Sequence, residues 1–103
     1  MQVKFANKHI AVLYESGKSR RLILSQSVVE KFFMRILQLE AAVDIHDLWK
    51  TVSLNFKKMK GYKERYSIRL DIKWRLEMEI DWQNDEKTIG IIHIIKISKH
   101  YGD

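Results

Sequence analysis

From Lys57 to Arg75 the chain reads KKMKGYKERYSIRLDIKWR, a run built of the residue types that hold phosphate. It carries Lys57, Lys58, Lys60, Lys63, Arg65, Arg69, Lys73 and Arg75 against only Glu64 and Asp71, an excess equal to the formal +6 of the whole chain. Elsewhere acids and bases cancel. Tyr62, Tyr66 and Trp74 are interleaved with the cations. Clustered cations neutralise a polyanion, and flat rings between them stack on bases, so the pattern points to nucleic acid. Near the other end stand His100 and Tyr101. Cleavage of RNA through its own 2′-hydroxyl needs one group to take a proton, one to give a proton to the leaving 5′-oxygen, and fixed cations on the phosphate. Histidine titrates in the right range, arginine binds phosphate through two donors, and lysine serves as a point charge or perturbed base.

Other chemistries find less support. There is no cysteine, which removes disulfides, thiolate nucleophiles and Cys-ligated metal, and fits a reducing compartment. His9, His46, His93 and His100 show neither H-x-x-x-H nor H-E-x-x-H spacing, so no metal and no cofactor is expected. His93 shares parity with Ile91, Ile95 and Ile97 and reads as structural; His46 reads as solvated. No phosphate-binding glycine loop or nucleophile elbow occurs. Glu77, Glu79 and Asp81 alternate along one segment, either as an acid–base set or, more simply, as an exposed polar face.

The elements that must position these residues fit one domain spanning 1–103. A chain of this length buries roughly two-thirds of its unfolded surface, enough for one modest core. The start, MQVKFANKHI, lacks the apolar core of a signal peptide, and no apolar run nears the ~18–20 residues of a membrane span, so a cytoplasmic protein is expected.

Val3–Ala6 reads as a short strand. Asn7 then caps a helix over Lys8–Ser16 stopped by Gly17, although Ile10, Val12 and Tyr14 also alternate like a strand. Ser27-Val-Val-Glu30 has the form of a capping box before an apolar stripe of Val29, Phe32, Phe33, Ile36, Leu37 and Leu39. Asp44 caps a further turn through Leu48. After Tyr66 the period changes to two. Tyr66, Ile68 and Leu70 share a face, as do Trp74, Leu76, Met78, Ile80 and Trp82. Gln83–Lys87 is a turn, and Thr88–Ser98 a last strand, apolar on both faces at first and therefore central. The expected class is α+β, with N-terminal helices packed on a small, mainly antiparallel sheet.

Register adds a chemical point. A three-residue loop, Asp71–Lys73, pairs Leu70 with Trp74 and sets Arg69 opposite Arg75. Like charges directly opposite repel. Either an anion sits between them, or Asp71 and Glu77 neutralise them on a solvated face. Lys96, Ser98 and His100 make the end of the last strand polar, where His100 approaches the two arginines.

Several short motifs occur in order: Leu39-Glu-Ala-Ala-Val-Asp-Ile-His-Asp-Leu48, Lys60-Gly61, Tyr66-Ser-Ile-Arg-Leu70, Trp74-Arg75-Leu76 and Ile97-Ser-Lys-His-Tyr-Gly102. In their sequence and spacing the chain resembles the HigB branch of the RelE/ParE toxin superfamily. The resemblance implies a microbial-RNase-like α+β fold and a toxin of a type II toxin–antitoxin pair that enters the ribosomal A site and cuts mRNA. It implies as partners the ribosome, mRNA and a cognate antitoxin with a helix-turn-helix domain, through which alone operator DNA is met. By position, Lys60 matches the family's Lys-Gly step, Arg75 the arginine after the strand tryptophan, and His100 the C-terminal histidine; Arg69 joins them as a fourth catalytic candidate. Lys57, Lys58, Lys63, Lys73, Tyr62 and Tyr101 are expected to contact substrate, with Tyr66 and Trp74 as further stacking candidates. Many relatives end Asp-Tyr-His, where this chain has Ser98-Lys99-His100-Tyr101. The competing expectation is a ParE-type toxin that inhibits a protein target such as gyrase without an RNase site. A third is a folded RNA binder without activity.

Overall fold

The structure, a computed structural model, describes residues 1–99; the candidates His100 and Tyr101 lie outside the described residues. Strand β1 (Val3–Phe5) leads into helices α1 (Lys8–Ser16), α2 (Gln26–Ala41) and α3 (Ile45–Lys50), then a 3₁₀ turn at Val52–Leu54. The strands β2 (Lys57–Lys58), β3 (Arg65–Arg69), β4 (Trp74–Trp82) and β5 (Gly90–Lys99) follow. They form one sheet in the order β1-β5-β4-β3-β2, with β1 parallel to β5 and the other pairs antiparallel. This is the α+β class expected from the sequence.

Capping decides the helices. The Asn7 side chain accepts from the backbone N–H of His9 (2.9 Å) and Ile10 (3.3 Å), and Gly17, at φ 75°, closes α1 by donating to Leu13 O. Those bonds settle the helix-or-strand ambiguity of this segment, because a strand would leave the cap's acceptor unused. In α2 the cap is Ser25, whose extended backbone lets Oγ accept from Val28 N–H at 3.3 Å. Ser27, the cap read from the sequence, already lies inside the first turn. Asp44 caps α3 through His46 N–H at 2.9 Å.

Val28, Phe32, Ile36 and Leu39 of α2, with Ile10 and Leu13 of α1, bury against Ile68, Leu70, Leu76, Met78, Ile80, Ile92 and Ile94 of the sheet. Each such side chain contributes about 1.5–3 kcal/mol on burial. The helices thus cover one sheet face and leave the other to charged residues.

Two features escape periodicity. Leu76 pairs with Ile97 and Glu77 with Lys96, but Met78 pairs with Ile94, so Ile95 is an extra residue in β5. This bulge inverts the parity. Ile97 is buried with the core and separated from His93, correcting the grouping read from the sequence, and Lys96 and Ser98 turn to the polar face beside Glu77 and Arg75. The second is β2, two residues long, which pairs Lys57 with Ser67 and Lys58 with Tyr66. At the start of β5, a Cβ on Gly90 would stand 2.6 Å from Ile80 Cγ2 and 2.8 Å from Asp81 O, so only glycine fits this close strand approach.

Candidate active site

The polar sheet face is a grid of paired positions. At its hairpin end, Arg69 of β3 lies opposite Arg75 of β4, which lies opposite Ser98 of β5. The turn that sets this register is the one expected. Leu70 N–H donates to Trp74 O at 2.8 Å, and Asp71 Oδ1 accepts from the N–H groups of Lys73 (2.8 Å) and Trp74 (2.7 Å). Lys73 is exposed at the tip. The next row is Lys57, Ser67, Glu77 and Lys96, and the third is Arg65, Glu79 and His93.

Arg75 is 2% exposed. Its Nε donates to Ser67 Oγ at 3.0 Å, and its Nη2 to Asn55 O at 2.6 Å and Ser67 O at 3.3 Å. Asn55 ends the 3₁₀ turn in the left-handed region, at φ 46°, which asparagine tolerates better than most residues. The guanidinium is therefore held in one orientation by the strand beneath it and the segment crossing above. Ser98 Oγ, in the same row, is buried and has no hydrogen-bond partner among the described residues.

A third arginine joins from α2. Arg35 is 4% exposed, and donates through Nε to Arg69 O (2.8 Å), Nη2 to Ser53 O (3.0 Å) and Nη1 to Gln38 Oε1 (2.9 Å). Burial first, and then the charge of Arg69, hold its pKa below the usual guanidinium range. Arg35 thus ties the hairpin end of β3 to the 3₁₀ turn, and Arg75 ties the same crossing segment to Ser67. Sequence reading missed Arg35, although it falls on the α2 stripe between Phe32 and Ile36, where a cation needs buried acceptors.

The opposite end of the face is arranged differently. Arg65 pairs with Glu79 at 2.8 Å and with Glu77 at 3.7 Å, and lies 4.2 Å over the Tyr62 ring. The Glu79 hydrogen bond raises its pKa against the pull of burial. Glu64 accepts from Lys87 Nζ (2.8 Å), Trp82 Nε1 (2.8 Å) and Tyr66 Oη (3.1 Å). These donors, Lys87 foremost, hold its pKa down at about 2.

The sequence candidates divide between these ends. Arg69 and Arg75 come together as neighbours across the hairpin. Lys60, Tyr62 and Lys63 lie in the exposed connection between β2 and β3, at the Arg65 end, about 13 Å of strand away from Arg69. Lys57 and Lys58 are exposed on the edge strand. Tyr66 is not a stacking platform for a base: it is 6% exposed, stacked on Phe56 at 5.2 Å, and its phenol is pushed up to about 12 by burial and then by Glu64. Trp74 is half-buried under Lys99. Of the three alternating acids, Glu79 and Asp81 are exposed as expected, but Glu77 is buried at 4% and faces Arg65.

This architecture has a solved counterpart. A YoeB/ParE toxin from Agrobacterium tumefaciens matches with a TM-score of 0.53, covering 98% of this chain and 100% of that chain at 14% identity. It shares the fold. No protein-family model matches the chain, and no curated protein matches it. Among the described residues, no group of His, Cys, Asp and Glu is arranged to hold a metal ion, and no helix is long and apolar enough to cross a membrane.

Chemically, the hairpin end offers two guanidinium groups, of Arg35 and Arg75, held by carbonyl, amide and hydroxyl oxygens, with Arg69 paired across the strand and a serine hydroxyl alongside. Fixed donors of this kind stabilise an anion, above all one whose charge grows during reaction.

Proposed function

We propose that this protein is the toxin of a type II toxin–antitoxin pair, of the HigB type, and acts as a ribosome-dependent endoribonuclease on translated mRNA. The observation that carries this reading is the cross-strand pairing of Arg69 with Arg75, braced by Arg35, on a fold of the YoeB/ParE kind. Two guanidinium-bearing residues side by side on one sheet face suit a phosphate, which each can bind through paired donors.

In this reading the 2′-hydroxyl attacks the adjacent phosphorus. Its proton passes to a base, the bond to the 5′-oxygen breaks, and an acid protonates that oxygen. His100 supplies one of these groups. Arg75 and Arg69 stabilise the negative charge that builds on the phosphoryl oxygens, and the fixed orientation of Arg75 avoids reorganisation during the step. Lys60 and Lys63, at the Arg65 end, and Lys57 and Lys58 on the edge strand contact neighbouring phosphates, with Lys73 at the hairpin tip. Tyr62 and Tyr101 are the rings left to stack on bases. The ribosome aligns the 2′-hydroxyl with the phosphate, a task that few protein groups here are placed to perform. A cognate antitoxin in the cytoplasm holds the protein inactive.

Expression of the protein alone tests this. Growth should stop, translated mRNA should fall, and purified protein should cut mRNA in programmed ribosomes far faster than the same RNA free in solution. Normal growth at high soluble expression would remove the toxin reading. Arrest with intact mRNA and damaged DNA would replace it with a ParE-type inhibitor.

A further inference from the structure

A second concentration of positive charge lies outside the Lys57–Arg75 stretch. The first 25 residues hold Lys4, Lys8, Lys18, Arg20 and Arg21 against a single acid, Glu15. The structure gathers part of this charge into a cleft of about 590 Å³, lined by His9, Val12, Lys18, Ser19, Arg20 and Arg21. The cleft lies on α1 and the segment that follows it. Helix α1 packs on β1 and β5 from the core side of the sheet, whereas Arg69 and Arg75 occupy the other face.

The segment is held in place by its serines. Ser16 Oγ donates to Val12 O at 2.8 Å and accepts from Lys18 N–H at 3.3 Å, and Ser19 Oγ accepts from Arg21 N–H at 3.2 Å and Leu22 N–H at 3.3 Å. Yet the side chains of Lys18, Arg20 and Arg21 are exposed and enter no hydrogen bond or ion pair among the described residues. Arg65, by contrast, has two carboxylates. A cation just after a helix favours its C-terminal dipole, but that effect fades within the last turn. It accounts for Lys18 and not for Arg20 and Arg21, which lie beyond the Gly17 cap. Three cations on a pinned loop, with His9 beside them and no ion pair among the described residues, repel one another until an external anion arrives.

We propose that this cleft is a second RNA-backbone site, which takes the phosphodiesters of a folded RNA while the arginine row on the opposite face takes the strand to be cut. The inference rests on the nuclease reading for its choice of RNA over an acidic protein. The two faces point apart, so the occupant is an RNA broad enough to meet both, and Val12, 49% exposed on the cleft wall, offers an apolar rest for a ribose or base.

The test is salt-dependent binding of a fluorescent 2′-O-methyl hairpin RNA, which cannot be cleaved, to wild-type protein and to the triple variant Lys18→Ala, Arg20→Ala, Arg21→Ala. Each lost phosphate contact lowers the slope of log affinity against log salt by roughly 0.7–0.9. The triple variant should lose about two units of slope and at least tenfold in affinity at low salt, with its melting temperature unchanged because these exposed side chains make no hydrogen bond or ion pair among the described residues. Unchanged slope and affinity would overturn the site. So would unchanged RNA affinity together with lost binding of a polyglutamate peptide, which would assign the cleft to an acidic protein. Cleavage by the wild type is scored separately. Lost RNA affinity in a protein that never cuts mRNA would keep this site and remove the nuclease; full RNA affinity in the triple variant of an active nuclease would remove this site alone.

Discussion

The two ends of strand β3 use arginine in opposite ways. At the Arg65 end, cations meet carboxylates: Arg65 with Glu79 and Glu77, and Lys87 with Glu64. At the Arg69 end, guanidinium groups converge from α2, β3 and β4, and Arg35 and Arg75 are steered by the oxygens of Ser53, Asn55, Ser67 and Arg69. Pairing with carboxylates makes a cation a structural tie, whereas donors oriented by carbonyl and hydroxyl oxygens are preorganised in the way the proposed function needs for an anion. Under that proposal one end serves stability and the other anion chemistry, and substitution can break the contrast at either end.

The largest effect is expected from His100→Ala. Within the proposed mechanism it removes an acid–base group while leaving intact the core, which is built from residues between Ile10 and Ile97. Cleavage in programmed ribosomes should be abolished, with antitoxin binding and melting temperature retained. Wild-type cleavage by this variant would leave Arg69 and Arg75 to carry the chemistry without it. Next is Arg35→Met, which should destabilise the fold by about 1–3 kcal/mol, because buried carbonyls of Arg69 and Ser53 lose their donor. Urea denaturation measures this, and an unchanged midpoint would show that the brace is dispensable. A smaller effect belongs to the other end. Glu64 has a folded pKa of about 2 against an ordinary 4.5, so its contribution to stability is complete above pH 4.5 and lost as pH falls through about 2. Glu64→Gln should lower stability near neutral pH, and the gap to wild type should narrow on acidification. A gap that widens toward acid would contradict that linkage.

Much of this fold was legible because its signals are local. Asn7 and Asp44 cap where their side chains can reach a free N–H, and Asp71 fixes the hairpin that sets Arg69 against Arg75. What escaped depends on partners distant in sequence. Ser25 and Ser27 are equivalent by residue type, and in the structure it is Ser25 that takes the capping bond. The Ile95 bulge exists because β5 must match β4, so period-two reading placed Ile97 with His93. Strand β2 is too short to carry a period. Arg35 broke an apolar stripe visibly, but its acceptors lie on a turn and a strand that the sequence does not join to it. Tyr66 looked like a free ring among cations, and tertiary packing stacked it on Phe56. The arginine pair of the candidate site was therefore readable, whereas its brace was not.

The most direct test sets the two ends against each other: single-turnover cleavage of mRNA in programmed ribosomes by Arg75→Ala and Arg65→Ala. Loss of a preorganised donor of this kind typically lowers rate by about 10²–10³. Arg75→Ala should fall by that factor while remaining folded, and folded Arg65→Ala should stay within about threefold of wild type, since Arg65 is paired with Glu79 and Glu77 and not with the reacting phosphate. A fully active Arg75→Ala protein, or equal losses from both substitutions, would contradict the assignment of chemistry to the hairpin end.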